Sequence, residues 1–105
     1  MEDQLSDDKN IKPPSIGVVG AGAWGTALAQ LSTKAGCSVT LWARENDVVT
    51  SINQDHENKT FLKGIKLSDK LKATSKLSDI AGHDYIFMVV PAQFLRPVLS
   101  DLKHH

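Results

Sequence analysis

A glycine pattern constrains the fold more than any other feature of the sequence, because it lies between a short apolar run and a segment whose apolar residues recur at helical spacing. Gly20, Gly22 and Gly25 form a G-x-G-x-x-G segment. The short β-branched run 15–19 precedes it, and apolar side chains recur at helical spacing from Trp24 onward. A strand that turns through such glycines into a helix is typical of dinucleotide-binding α/β units.

Each glycine of this turn has a separate physical task. Gly20 permits the tight turn, Gly22 lets a diphosphate approach the main chain, and Gly25 lets the helix pack close to the sheet. The first turn of the helix then offers free N–H groups and a positive dipole end to phosphates. The segment predicted to bind the cofactor is the motif itself, Gly20, Ala21, Gly22, Ala23, Trp24 and Gly25, and the glycines carry this prediction. Trp24 has a simpler alternative role as a core side chain.

The remaining pattern alternates strands with helices, which predicts a parallel sheet with right-handed crossovers. The predicted fold is therefore α/β, a partial Rossmann unit with a doubly wound, mostly parallel sheet truncated after about four strands. Its predicted elements are a strand over 15–19, a helix from Trp24 to Ala35, a strand over 39–43, a helix through Val48 to Ile52, a weak strand over 71–74, a short helix over 77–81, a strand over 85–90 and a helix ending at Leu102. A polar connection fills 53–69, and 1–14 is predicted to be a flexible lead-in to a domain spanning 15–105.

Proline fixes one expected boundary near the end of the chain. Pro97 lies within the apolar stripe that begins at Phe94. Proline is tolerated in the first turn of a helix but not further inside. The sequence therefore predicts a helix that begins near Phe94.

The end of the second predicted strand carries the cofactor-specificity signal. An acidic residue there favours NAD, whereas an arginine accommodates the 2′-phosphate of NADP. Arg44 occupies this place and is followed by Glu45. Arg44 is predicted to pair with the phosphate, giving a preference for NADP with some use of NAD. The alternatives are a solvated charge at Arg44 and a helix-capping role for Glu45.

Composition excludes several other classes of function. The 105 residues include 12 basic and 12 acidic side chains, so no net charge points to nucleic acid or an anionic membrane. The one cysteine, Cys37, and the absence of a signal-like apolar start predict a cytoplasmic protein. The histidines lack zinc-ligand spacing, so no metal site is predicted.

Four sequence blocks resemble the NAD(P)-dependent sn-glycerol-3-phosphate dehydrogenases, most closely the bacterial biosynthetic type. They occur in the family's order and cover the chain from about Ile16 to Leu102. The blocks are 20–29 (GAGAWGTALA), 41–44 (LWAR), 56–59 (HENK) with Phe61 and Leu62, and 89–94 (VVPAQF). The tryptophan within the glycine motif, combined with H-E-N and V-P-x-Q, is far more specific than the glycines alone.

The resemblance implies an enzyme that reduces dihydroxyacetone phosphate to glycerol 3-phosphate for glycerophospholipid synthesis and acts as a homo-oligomer. It implies that Trp24 lies against the cofactor, and it adds Phe94 to the cofactor-binding residues, with a core anchor for the last helix as the alternative role of Phe94. Two positions depart from the family pattern. Ala23 replaces a serine or asparagine, which removes one side-chain hydrogen bond to the cofactor, and Lys63 replaces a proline.

The family's catalytic lysine is expected beyond His105, so no catalytic residue is assigned to this chain. We expect the chain alone to be inactive and its last strand to expose an apolar edge. Two alternatives remain at this point: another Rossmann dehydrogenase, 6-phosphogluconate-like or hydroxyacyl-CoA-like, and a non-enzymatic dinucleotide-binding module.

Overall fold

Strands and helices alternate along the chain, as the hydrophobic pattern predicts. The computed structural model describes residues 13–104, so the predicted lead-in lies outside the described residues except for Pro13 and Pro14. The elements are β1 (Ser15–Val19), α1 (Ala23–Lys34), β2 (Ser38–Trp42), α2 (Asn46–Thr50), a π-helical turn (Ser51–Asp55), β3 (Lys72–Thr74), a 3-10 turn (Leu77–Asp79), β4 (Tyr85–Met88) and α3 (Ala92–Leu102).

All four strands are parallel and lie in the order β3-β2-β1-β4. Val18 of β1 pairs with Leu41 of β2 on one side and with Phe87 of β4 on the other. The chain builds outward from β1 to β3 and then returns to the opposite side of β1. The order therefore reverses between β1 and β4, and the predicted doubly wound α/β fold is confirmed.

Each face of the sheet has its own core, because successive strand residues point to opposite faces. The first core packs α1 and α2 against one face. Its buried side chains are Ile16, Val18, Ala21, Ala29, Val39, Leu41, Ala43, Val48, Ile52, Leu67, Leu71 and Ala73. The second core consists of Val19, Trp42, Leu77 and Ile80, with Val98 and Leu102 of α3 packed against it. Helices thus cover both faces of the sheet.

A reciprocal pair of hydrogen bonds ties the start of β1 to the start of β4. The Ser15 N–H donates to Asp84 Oδ2 at 2.9 Å, and the Asp84 N–H donates to Ser15 Oγ at 2.9 Å. These residues are 69 positions apart in the sequence. Together with the ladder pairing, they fix the register of β4 against β1.

Two predicted boundaries at the end of the chain are wrong. β4 ends at Met88 rather than at residue 90, although the Val89 N–H still donates to the Val19 carbonyl at 2.8 Å. α3 begins at Ala92 rather than near Phe94, because the Pro91 carbonyl already accepts the Phe94 N–H at 2.9 Å. Pro97 therefore lies inside the helix, where it cannot donate to the carbonyl four residues earlier.

β4 forms one edge of the sheet as described by residues 13–104. Its alternate side chains Tyr85 and Phe87 are 58% and 40% exposed. Tyr85 and Phe87 pair with Ile16 and Val18, so they point to the same face of the sheet as these two residues, the face against which α1 packs. The expected apolar edge is therefore present. No helix within the described range is long and apolar enough to cross a membrane.

Candidate functional site

A groove of about 970 Å³ opens at the carboxyl ends of β1 and β4, where the strand order reverses. In open parallel sheets this is the position where ligands bind. All eight residues predicted to bind the cofactor line it. They are Gly20, Ala21, Gly22, Ala23, Trp24, Gly25, Arg44 and Phe94. The fold thus brings together residues that the sequence places on three separate segments.

The local geometry explains why two of the glycines cannot be replaced. Gly20 has a φ of +121°, and a Cβ there would lie 2.3 Å from the Val89 carbonyl oxygen. A Cβ on Gly25 would lie 1.7 Å from the Gly20 carbonyl oxygen, so α1 starts in direct contact with the end of β1. Both positions need glycine for the fold itself.

Gly22 differs from the other two glycines of the motif. A Cβ on Gly22 would meet nothing within 4 Å, and its φ of −71° suits any residue. The fold itself therefore places no steric demand on this position. The open space beside it belongs to the groove.

The start of α1 supplies hydrogen-bond donors to the groove. Gly22 is the N-cap residue; its carbonyl accepts the Thr26 N–H at 3.0 Å, and it has no side chain to cap the helix. The N–H groups of a first helical turn lack partners within the helix. The turn contains no acidic residue, so no carboxylate of α1 competes for them. This is the arrangement that favours binding of an anion.

The carboxyl end of β2 and the first turn of α3 meet across the groove. The Arg44 guanidinium lies 4.8 Å from the centroid of the Phe94 ring. Arg44 is the one basic residue among the described lining residues, and Glu45 and Asp101 are the acidic ones. Phe94 is half-buried and does not belong to either core, whereas Val98 and Leu102 anchor the helix. Both predicted side chains therefore face the groove.

Trp24 is 84% exposed, so the alternative that it serves as a core side chain is wrong. It lies on the groove wall beside the glycine turn. Sequence reasoning missed Phe61, which is 44% exposed and lines the same groove from the connection between the π-helical turn and β3. Trp42 also lines it, with a buried indole N–H that has no hydrogen-bond partner among the described residues.

The described residues that line the groove include no histidine and no cysteine. His83 contacts the Ile80 carbonyl and the Thr40 hydroxyl at 2.9 and 3.0 Å, which ties the approach to β4 to β2. Cys37 is half-buried just before β2. Within residues 13–104, His, Cys, Asp and Glu form no group of three or more that would hold a metal ion.

Curated proteins and a family profile match this chain over most of its length. The profile described as the N-terminus of NAD-dependent glycerol-3-phosphate dehydrogenase matches residues 15–105. The chain is 52% identical over 90 residues to a glycerol-3-phosphate dehydrogenase [NAD(P)+] of Caulobacter vibrioides, covering 86% of this chain and 27% of that protein. It is 55% identical over 86 residues to the protein of the same name from Maricaulis maris, covering 82% and 26%. The chain thus spans about a quarter of the length of these relatives.

Solved structures share the fold of this chain. Glycerol-3-phosphate dehydrogenase from Saccharomyces cerevisiae superposes with a TM-score of 0.80 at 32% identity, over 90% of this chain and 31% of that one. The enzyme from Coxiella burnetii gives a TM-score of 0.80 at 33% identity, over 87% and 28%. Since the family profile covers nearly all of the described residues, the chain belongs to the family of NAD-dependent glycerol-3-phosphate dehydrogenase N-terminal domains.

Proposed function

We propose that this chain is the cofactor-binding part of an oxidoreductase that interconverts dihydroxyacetone phosphate and sn-glycerol 3-phosphate with NAD(P)H, in the service of glycerophospholipid synthesis. The observation that carries the proposal is the glycine turn at the switch point of the sheet. Gly22 meets no protein atom that a Cβ would disturb, so its lack of a side chain serves the open groove. Relatives named for this activity share about half of their matched residues with the chain.

In this proposal, the first turn of α1 donates main-chain N–H groups to the cofactor diphosphate, next to Gly22. Arg44 binds a ribose 2′-phosphate, because a guanidinium pairs with phosphate through two parallel hydrogen bonds. Phe94 contacts Arg44 and therefore lies at the adenosine end. Trp24 and Phe61 form the exposed apolar rim. This assignment gives NADP as the preferred cofactor, with NAD as the weaker one.

The cofactor, when bound, supplies the hydride for the central carbon of the three-carbon phosphate. The residues of this chain bind and orient it, and we assign none of them a catalytic role. By resemblance to the family, we expect the proton-donating lysine to lie outside this sequence. The contribution of this chain to the rate is therefore positional: it holds one reactant where the other can reach it.

We also propose a cytoplasmic homo-oligomer that takes a small-molecule substrate, with no nucleic acid or membrane as partner. The balanced charge of 12 basic and 12 acidic residues supports the absence of nucleic acid, and the one cysteine supports a reducing compartment. The oligomeric state rests on the family resemblance. Family membership argues against the two other dehydrogenase classes considered from sequence.

Calorimetric titration of the chain with NADPH and NADH tests the proposal. We expect both to bind, NADPH more tightly, and we expect no oxidation of NADPH by the chain when dihydroxyacetone phosphate is added. Failure of both nucleotides to bind would overturn the cofactor assignment. The same assay on the complete protein tests the activity: binding without substrate-dependent oxidation of NADPH would indicate a non-enzymatic module instead.

A further inference from the structure

We propose that Asn58 is a positioning residue that fixes the orientation of the Ala21–Gly22 peptide in the diphosphate-binding turn. Asn58 lies in the connection between the π-helical turn and β3, far from the glycine motif in sequence. The inference rests on the proposed function, because the task it assigns to Asn58 is to present a cofactor-binding amide. It concerns a residue to which neither the glycine motif nor the strand ends assign a role.

The Asn58 side chain is fully buried, and both of its polar atoms have hydrogen-bond partners. Its Nδ2 donates to the Ala21 carbonyl at 2.8 Å and to the Thr26 hydroxyl at 2.9 Å. Its Oδ1 accepts the Phe61 N–H at 3.0 Å. Asn58 and Thr26 are both 0% exposed, so water does not compete for these groups. A buried amide that satisfies its partners in this way restrains them strongly.

The Ala21–Gly22 peptide needs such a restraint on its Gly22 side. Glycine has access to more backbone conformations than other residues, and Gly22 has no side chain that could pack against a neighbour to restrict them. A trans peptide is planar, so its C=O and N–H point in opposite directions. The described chain contains no cis peptide bond. Fixing the Ala21 carbonyl toward Asn58 therefore fixes the Gly22 N–H on the opposite side, away from the buried network.

Thr26 completes the network from the first turns of α1. Its hydroxyl accepts a hydrogen bond from Asn58 and donates one to the same Ala21 carbonyl at 3.3 Å. The Ala21 oxygen thus receives two donors, one from α1 and one from the connecting segment. Loss of either donor leaves a largely buried carbonyl less satisfied, which favours rotation of the peptide.

The connecting segment is itself held firmly enough to act as a support. The Asn58 carbonyl accepts the Leu62 N–H at 2.9 Å, and the Glu57 carboxylate accepts the Gly64 N–H at 2.8 Å. The His56 carbonyl accepts the Leu67 N–H at 2.8 Å. Phe61, which lines the groove, is joined to the same Asn58 side chain. The side-chain amide of Asn58 therefore links the glycine turn to the segment that carries Phe61, and both line the groove.

Asn58→Asp is the test, because it keeps the size of the side chain and removes both N–H donors. Asn53→Asp is the matched control: Asn53 Nδ2 also donates to a backbone carbonyl, that of Ala73, at 2.9 Å, but away from the groove. We expect Asn58→Asp to raise the NADPH dissociation constant about tenfold or more, as loss of hydrogen bonds to a buried carbonyl implies. Asn53→Asp leaves it unchanged. The Gly22 amide resonance in the nucleotide-free chain should shift or broaden in Asn58→Asp alone.

An unchanged NADPH dissociation constant and Gly22 resonance in a folded Asn58→Asp chain would overturn the proposal. If the unaltered chain binds no nucleotide, the proposed function fails, and the Gly22 resonance alone then decides the role of Asn58. If Asn58→Asp does not fold, Thr26→Val and Thr26→Ser decide it. The valine removes the hydroxyl at constant shape and should weaken NADPH binding several-fold, whereas the serine keeps the hydroxyl and should not. Equal binding by these two variants would also overturn the proposal.

Discussion

The Arg44 guanidinium lies over the Phe94 ring, 4.8 Å from its centroid, and joins the end of β2 to the first turn of α3. A cation above an aromatic face is attracted to the ring. The contact holds the arginine side chain over the groove without neutralising its charge. Its donors therefore remain available for a phosphate, and the side chain has already lost part of its conformational freedom before a ligand arrives.

We predict that Arg44→Met separates the two nucleotides. The NADPH dissociation constant should rise about tenfold to a hundredfold, because the charge-assisted hydrogen bonds to the 2′-phosphate are lost. NADH, which lacks that phosphate, should be affected only slightly. Titration with both nucleotides measures the difference, with Arg96→Met on the exposed side of α3 as the control. Equal losses for both nucleotides would show that Arg44 does not read the 2′ position.

The glycine turn provides a second prediction, based on two substitutions of the same size. Gly22→Ala should leave the thermal midpoint of unfolding nearly unchanged, since the new Cβ meets nothing within 4 Å. It should still weaken NADPH binding about tenfold, because the methyl group occupies space needed by the diphosphate. Gly25→Ala should prevent folding, since its Cβ would lie 1.7 Å from the Gly20 carbonyl oxygen. Retained NADPH affinity in Gly22→Ala would remove the main support for the cofactor site.

Much of the fold and most of the groove could be predicted because they depend on local patterns. The β-branched run before Gly20 and the apolar spacing after it predict β1 and α1 directly. The glycine motif and Arg44 follow strand ends, and the carboxyl ends of parallel strands meet at one edge of a sheet. Phe94 was placed by the family resemblance. The structure brings all of these residues to one groove.

The parts that could not be predicted depend on contacts distant in sequence. Asn58 and Phe61 lie in a polar segment with no hydrophobic period, so nothing local shows that one is buried and the other lines the groove. The start of α3 differs from the prediction, which rests on the preference of proline for the first turn of a helix. In the structure, α3 has Pro97 in its interior and still packs Val98 and Leu102 against the second core.

Trp24 should act as an optical reporter of ligand binding. Its side chain is 84% exposed beside the glycine turn, whereas Trp42 is 8% exposed. We expect acrylamide to quench the fluorescence mainly of Trp24, and NADPH to protect it. Trp24→Phe should abolish most of the quenching. If NADPH binds and the quenching of Trp24 does not change, its indole lies outside the region that the nucleotide covers.

Pro97→Ala should stabilise the chain. An alanine restores an N–H that can donate to the Gln93 carbonyl and removes the clash of the proline ring, together about 1 to 3 kcal/mol in the free energy of unfolding. Ser100→Ala, at an exposed position of the same helix, reports the gain from helix propensity alone. Urea denaturation of both variants measures the difference. A smaller gain for Pro97→Ala than for Ser100→Ala would mean that α3 has already adapted to the proline.

The reciprocal hydrogen bonds between Ser15 and Asp84 have a consequence for the order of events in folding. They join residues that are 69 positions apart in the sequence, whereas only one helix, α1, connects β1 to β2 along the chain. Closing a longer loop costs more chain entropy, so pairs distant in sequence tend to form late. The half of the sheet from β1 to β3 can therefore assemble first, and the groove acquires its second wall only when β4 docks. A nucleotide that contacts both walls would therefore stabilise docked β4 and slow its dissociation from β1.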